Sequence, residues 1–204
     1  MNLEFIPLPE RQAIAEIFTF WFGDPEAKSA TYADRRKLWF GKNSAVDNEI
    51  RDRFLPLHQQ AAAGELADWQ SSPPGALALL LLLDQFSRNL FRDTPQAFAT
   101  DPQALAIAEA SIAQGFDRAV PPLMRMFFYL PLEHSEDQAR QQRSVELFTQ
   151  LQAEAPELAD VLDYAHKHKD VIDRFGRFPH RNEILHRPST IEEQEFLQQP
   201  GSSF

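Results

Sequence analysis

Two short stretches of this chain are rich in arginine, asparagine and histidine, whose side chains bind anions. One lies between residues 84 and 92 and the other between residues 175 and 182. A guanidinium group holds a carboxylate or phosphate through two parallel hydrogen bonds. We therefore predict that both stretches line one groove that binds a small anion or an acidic peptide. The ligand-binding candidates are Gln85, Arg88, Asn89, Arg92, Arg177, His180, Arg181, Asn182 and the aromatic Trp21.

The second stretch lies inside a basic segment of an acidic protein. Residues 166–187 contain six of the 20 Lys and Arg and four of the six His against three acids, a formal charge of +3. Because the whole chain carries −10, the remaining 182 residues carry −13. Cations concentrated in this way favour an anionic ligand. The acidic remainder argues against a broad nucleic-acid surface, so no nucleic-acid partner is expected.

Both stretches also have a purely structural interpretation. Asp84 and Arg88 are four residues apart, so they can pair on a helix, and Arg92 can cap the last carbonyl groups of that helix. The second stretch can likewise be held by internal salt bridges to Asp84, Glu133 or Glu136. In that case every polar motif belongs to an internal network.

A histidine next to a carboxylate raises an enzymatic alternative, because the two can share proton transfer. The motif His134-Ser135-Glu136 contains such a pair, whereas its serine is better explained as a helix cap together with Gln138. Such an enzyme would be a hydrolase or lyase acting on an anionic substrate. The catalytic candidates are His134, Glu136, His180 and Asp84.

Composition disfavours several other classes of function. The chain has no Cys, and its histidines match no metal-ligand spacing, so we expect no metal site; His168 is interpreted as a buried core histidine. With only seven Gly and no phosphate-binding loop, no cofactor is expected. The longest apolar run, Ala76 to Leu83, is far shorter than the roughly 20 residues that cross a bilayer. We expect a cytoplasmic protein without a membrane partner.

Helical patterns cover most of the chain. Apolar residues recur with the helical spacing, and the helix that contains the run Ala76 to Leu83 is apolar on all sides, as in a central buried helix. Pro131 and Gly176 are predicted to end helices, and Thr190 with Glu193 forms a capping box. The sequence therefore predicts an all-α single domain over residues 1–200, with eight or nine helices in antiparallel pairs, followed by a loose tail at 201–204.

Four motifs follow one another along the chain: Phe20-Trp21-Phe22-Gly23, the run from Leu81 to Arg92, His134-Ser135-Glu136, and the run from Phe175 to Asn182. Together and in this order they resemble the bacterial family called domain of unknown function 924. The resemblance spans about residues 14 to 197 and implies a tetratricopeptide-like helical arrangement, but no activity. Ser87 stands where that family usually has proline, and His186 where it usually has glycine.

Three functions therefore remain open. A binding protein requires that the two arginine-rich stretches converge on a concave surface. An enzyme requires, in addition, a histidine within hydrogen-bond reach of a carboxylate at that surface. A structural or assembly protein requires that the arginines be buried and paired with acids. The sequence makes no prediction of the oligomeric state.

Overall fold

The protein is all-α. A computed structural model describes residues 8–23 and 32–203. These two ranges contain nine helices, with residues 73–90 counted as one, and no strand. The predicted all-α class is thus confirmed, whereas the tetratricopeptide-like pairing stays a prediction. None of the helices in the described ranges is long and apolar enough to span a membrane.

The helices follow one another with short connections. They are α1 (Leu8–Phe22), α2 (Tyr32–Phe40), α3 (Ser44–Ala62), α4 (73–90), α5 (Asp101–Ala113), α6 (Pro122–Glu133), α7 (Gln138–Glu154), α8 (Ala159–Phe175) and α9 (Ile191–Leu197). Short 3-10 turns lie at Ala67–Ser71, Pro95–Phe98, Phe116–Ala119, Pro156–Leu158 and Pro179–Arg181.

Helix α4 forms the centre of the fold. Residues 74 to 87 are all buried, and the helix packs against α1, α3, α5 and α6. Each fully buried leucine in this segment contributes about 1.5–3 kcal/mol of transfer free energy. The prediction of a central buried helix is therefore confirmed.

A π-helical turn interrupts α4 where its sequence changes from apolar to polar. The regular α-helix runs over Pro73–Leu80, the π turn over Leu81–Phe86, and Ser87–Leu90 returns to α-helical geometry. Because the π turn adds a residue, the residues that follow are rotated by about 100° from where an uninterrupted helix would place them. The helix ends at Leu90, so Arg92 lies beyond it and does not share a helical face with Asp84.

Two other helix boundaries differ from the predictions. Ser135 is not the cap of α7; Asp137 has the extended backbone that an N-cap needs, and its side chain accepts a hydrogen bond from the Arg140 N–H. The reason is that α7 begins at Gln138, so that Asp137, not Ser135, directly precedes its first residue. Pro131 lies inside α6, which continues to Glu133, because the proline removes only its own N–H and the His134 N–H still donates to the Leu130 carbonyl at 2.9 Å.

The C-terminal part packs on a small cluster of its own. Val171, Ile172 and Phe178 form its buried core, and the predicted capping box of Thr190 and Glu193 is present in α9. Within the predicted tail, Ser202 is buried and donates a hydrogen bond to the Leu197 carbonyl. Phe204 lies outside the described residues.

His186 occupies a backbone conformation that favours glycine. Its φ angle is +54°, and its side chain is exposed. The left-handed conformation costs a residue with a Cβ roughly 1–2 kcal/mol.

We therefore expect His186→Gly to raise the free energy of unfolding, measured by urea denaturation, by about 1 kcal/mol. Gly176→Ala is the matched control, because Gly176 has φ +68° and nothing lies within 4 Å of the position of an added Cβ. It should lower the free energy of unfolding. A loss of stability in His186→Gly would contradict the expected strain.

Candidate functional site

The two arginine-rich stretches meet at one cavity of about 480 Å³, which we call the arginine cavity. Its wall is formed by residues of α4, by His134 directly after α6, by the turn Pro179–Arg181 and by the connection between α2 and α3. Residues about 90 positions apart in sequence thus lie side by side. Seven of the predicted site residues line it: Gln85, Arg88, Asn89, Arg92, His134, His180 and Arg181.

Asp101, at the start of α5, joins the two stretches. Arg88 donates to both of its carboxylate oxygens, at 3.0 and 3.3 Å. Arg181 donates to Asp101 Oδ2 at 3.3 Å and to the His134 carbonyl at 3.0 Å. One carboxylate therefore orients two guanidinium groups that are far apart in the sequence.

Two aromatic rings pack against the Arg181 guanidinium. It lies 4.7 Å from the ring centres of both Phe98 and Phe178. Arg181 is only 7 % exposed. Burial, together with the positive charge of Arg88, lowers its pKa to about 10, so it remains a cation at neutral pH. Contact with the two rings stabilises the cation in this buried position.

Asp84 and His134 form a hydrogen-bonded dyad behind the arginines. The His134 Nδ1 lies 2.7 Å from Asp84 Oδ1, and Gln85 donates to the other oxygen at 2.6 Å. Burial would raise the pKa of Asp84, but His134 and Arg88 hold it well below its ordinary value. An ionised carboxylate only accepts hydrogen bonds, so Nδ1 carries the proton.

His134 is consequently a neutral imidazole whose Nε2 can accept a proton. Burial and the charge of Arg88 lower its pKa despite the opposing effect of Asp84. Its Nε2 makes no hydrogen bond to any residue that the structure describes, and His134 lies in the cavity wall. This is the histidine and carboxylate geometry that the enzymatic alternative requires.

Arg92 and Asn89 are braced by Asp47 of α3. Arg92 donates to its two oxygens at 2.9 and 2.8 Å, and Asn89 donates at 2.8 Å. Burial would raise the pKa of Asp47, but these hydrogen bonds keep it below its ordinary value. The structural interpretation predicted that Arg92 caps carbonyl groups at the end of α4. Arg92 instead pairs with Asp47, a carboxylate distant in sequence. Its Nη1 group makes no hydrogen bond within the described ranges.

Lys42 completes the cationic side of the cavity. It is exposed, lines the arginine cavity, and has no ion-pair partner among residues 8–23 and 32–203. Sequence analysis missed it, because one lysine between two predicted helices carries no pattern. The prediction placed Trp21 rather than Trp39 in the cavity wall, and the bracing carboxylates Asp47 and Asp101 were not among the predicted residues.

Three predicted ligand-binding residues lie away from the cavity. Trp21 is fully buried in the core, where its carbonyl accepts a hydrogen bond from the Trp39 indole at 2.9 Å. Arg177 pairs with Glu193 at 2.6 Å, and Asn182 is buried against the 187–189 loop. Arg177 and Asn182 lie outside the cavity because Gly176 ends α8 and turns the chain, so that neighbouring side chains after it point in different directions.

Glu136 holds the loop that carries Arg181. It accepts a hydrogen bond from the Phe178 N–H at 2.7 Å and two from Arg187, at 2.6 and 2.9 Å. Burial would raise its pKa, but these bonds lower it. Glu136 borders a neighbouring depression of about 370 Å³ rather than the arginine cavity. Its contacts are those of a positioning residue.

The fold and cavity define an all-α protein whose cavity arginines are braced by carboxylates. The chain belongs to the family described as bacterial protein of unknown function (DUF924), which it matches over residues 17–201. It is similar to a protein of unknown function, ATU0120, from Agrobacterium tumefaciens, whose solved structure is 43 % identical with a TM-score of 0.79. That similarity covers 92 % of this chain and 97 % of the other. No curated protein matches the chain significantly.

Proposed function

We propose that this protein is a cytoplasmic binding protein for small organic anions, which it holds by a carboxylate group in the arginine cavity. The observation that supports this most directly is the convergence of seven Arg, Asn, Gln and His side chains, from distant segments, on one cavity of about 480 Å³. A carboxylate there would meet donors that are already oriented, which lowers the entropic cost of binding.

The charges around the cavity are arranged in two layers. Lys42, Arg88, Arg92 and Arg181 line it with a single acid, Asp93, whereas Asp47, Asp84 and Asp101 stand behind the arginines and do not line it. The carboxylates fix the orientation of the guanidinium groups. They do not use all of the hydrogen-bond donors, because each arginine has five N–H bonds. The Lys42 ammonium and the Arg92 Nη1 group belong to side chains that line the cavity, and they make no hydrogen bond to a described residue. The Arg181 Nε group also lacks a described partner but is buried, so we assign the ligand carboxylate to Lys42 and Arg92.

This assignment predicts a selective loss of affinity in Lys42→Gln. Succinate, citrate, inorganic phosphate and a peptide with an acidic C-terminus are tested by thermal shift and calorimetry, and at least one carboxylate should raise the melting temperature. Its dissociation constant should rise about tenfold in Lys42→Gln, because a hydrogen bond to a charged group contributes roughly 1.5–3 kcal/mol and 1.4 kcal/mol is tenfold.

Arg143→Gln is the matched control. It removes one exposed positive charge on α7, where Arg143 pairs only with Glu146 and lines a different depression. Its effect on affinity should be less than about twofold, because exposed charges far from a ligand are screened. If no carboxylate or peptide stabilises the protein, or if both variants weaken binding equally, the proposal is wrong and a structural role is favoured.

The Asp84–His134 dyad favours a second candidate, an enzyme that acts on the bound anion. The neutral His134 can accept a proton through Nε2 while Asp84 stabilises the resulting imidazolium. Proton NMR spectra of each stabilising anion, incubated with the protein, separate the two functions. A binding protein leaves the spectrum unchanged, whereas an enzyme converts the compound and His134→Gln stops that conversion.

A further inference from the structure

A second cavity of about 270 Å³ adjoins the arginine cavity. The two share part of their walls, and His134 lies at their junction. The second cavity runs between α2, α6 and α8. The shared residues are Phe40, His134, His168 and Ser203.

Much of this second wall is apolar or already paired. Leu130, Val161 and Phe40 contribute apolar surface. Asp160, a half-buried acid of that wall, accepts hydrogen bonds from Tyr32 at 2.6 Å and from Arg36 at 2.5 Å. The cavity therefore suits an apolar body rather than a second anionic group.

Glu133 is the exception in that wall. It is only 3 % exposed, and its Oε1 lies 3.0 Å from His168 Nδ1, which also donates to the Tyr164 carbonyl at 2.9 Å. Its Oε2 has no hydrogen-bond partner in the described part of the chain. A buried polar atom without a partner is costly, so a ligand atom that satisfies it gains affinity.

The protonation state of Glu133 decides which atom it would bind. Burial, aided by the negative charge of Asp84, raises the pKa of Glu133 well above its ordinary value. Burial, aided by His134, lowers the pKa of His168 well below its ordinary value, so His168 supplies no positive charge. Both shifts favour the neutral carboxylic acid form of Glu133, which offers a hydrogen-bond donor.

We propose that the two cavities form one site for an elongated organic anion with an apolar body and one carbonyl oxygen. Its carboxylate lies at Lys42 and Arg92, its apolar body lies in the second cavity, and Glu133 donates a hydrogen bond to its carbonyl oxygen. This inference rests on the proposed anion binding and adds the shape and second polar group of the ligand.

Two probes of equal length test whether Glu133 donates a hydrogen bond to the ligand. Phenylbutyrate and benzoylpropionate have the same skeleton and carboxylate, but only benzoylpropionate has a ketone between its chain and ring. We expect calorimetry to show that the protein binds benzoylpropionate about tenfold more tightly. The preference should vanish in Glu133→Leu, which removes the donor, and persist in Glu133→Gln, whose amide still donates.

The outcomes separate this inference from the proposed function. Succinate is too short to fill both cavities, so its binding and its dependence on Lys42 test the arginine cavity alone. If succinate binds but the two aromatic probes bind equally, or if Glu133→Leu keeps the preference, the extended site is wrong while anion binding stands. If Glu133→Leu does not fold, the preference of the wild-type protein and of Glu133→Gln for benzoylpropionate over phenylbutyrate still tests the extended site. If no anion binds, both proposals fail.

Discussion

Replacement of Asp84 by alanine should lower the free energy of unfolding by about 3–5 kcal/mol, as expected when one partner of a buried ion pair is removed. Asp84 is only 1 % exposed and accepts hydrogen bonds from His134 and Gln85. Its carboxylate also lies 3.5 Å from Arg88 Nη2. Removing it leaves these groups buried without their acceptor. Urea denaturation measures the change.

Two further variants show whether the charge or the shape of Asp84 matters. Asp84→Asn keeps the shape and one acceptor oxygen, so it should cost less than the alanine variant but more than a surface change. Asp173→Ala removes an exposed acid that pairs with Lys169 and should cost less than about 1 kcal/mol. If Asp84→Ala costs no more than Asp173→Ala, Asp84 is not the acceptor that stabilises the polar centre.

Acidification from pH 7 to pH 5 should be the second large effect, because several buried histidines resist protonation. Burial and the charge of Arg181 lower the pKa of His180 to about 3. Burial also lowers the pKa values of His58, His134 and His168. The unfolded chain takes up these protons near pH 6.5 and the folded protein does not, so stability is full above that pH and falls as the pH decreases.

Glu133 acts in the opposite direction. Its raised pKa means that the folded protein holds a proton that the unfolded chain loses above about pH 4.5, so its contribution improves as the pH falls. His180 alone costs roughly 2 kcal/mol between pH 6.5 and pH 5, because its pKa in the folded protein is about 3. The three other histidines add to this loss and Glu133 offsets part of it, so we expect a net loss of stability by pH 5.

Denaturation curves at a series of pH values test this expectation. His180→Gln removes one titrating group and should make the dependence less steep by about one proton. His166→Gln changes an exposed histidine on α8 and is the control that should leave the curve as it is. Constant stability between pH 7 and pH 5 would show that these histidines are not held neutral by the fold.

Local sequence patterns predicted most of the helices and several of their ends. The capping box of Thr190 and Glu193 and the left-handed Gly176 are present as expected. These features depend on contacts within four or five residues, which the sequence itself spaces. The π turn at Leu81–Phe86 and the use of Asp137 as a cap were missed, because each depends on how the surrounding helices pack.

The candidate site was predictable as a set of side chains but not as an arrangement. Composition singled out the arginine-rich stretches, and seven of the named residues share one cavity. No pattern indicated that Asp101 joins Arg88 to Arg181, or that Asp47 braces Arg92. Partners so far apart in sequence are chosen by packing, not by spacing.

The sequence by itself determined the all-α class, the buried central helix and the identity of most polar groups at the cavity. Helix periodicity and burial follow from the order of apolar and polar residues along the chain. Only the tertiary structure decided which charges are paired and which remain available. Trp21 lies in the core and Trp39 in the cavity wall, and Lys42 has no described partner, because a side chain's surroundings are set by residues that folding brings to it.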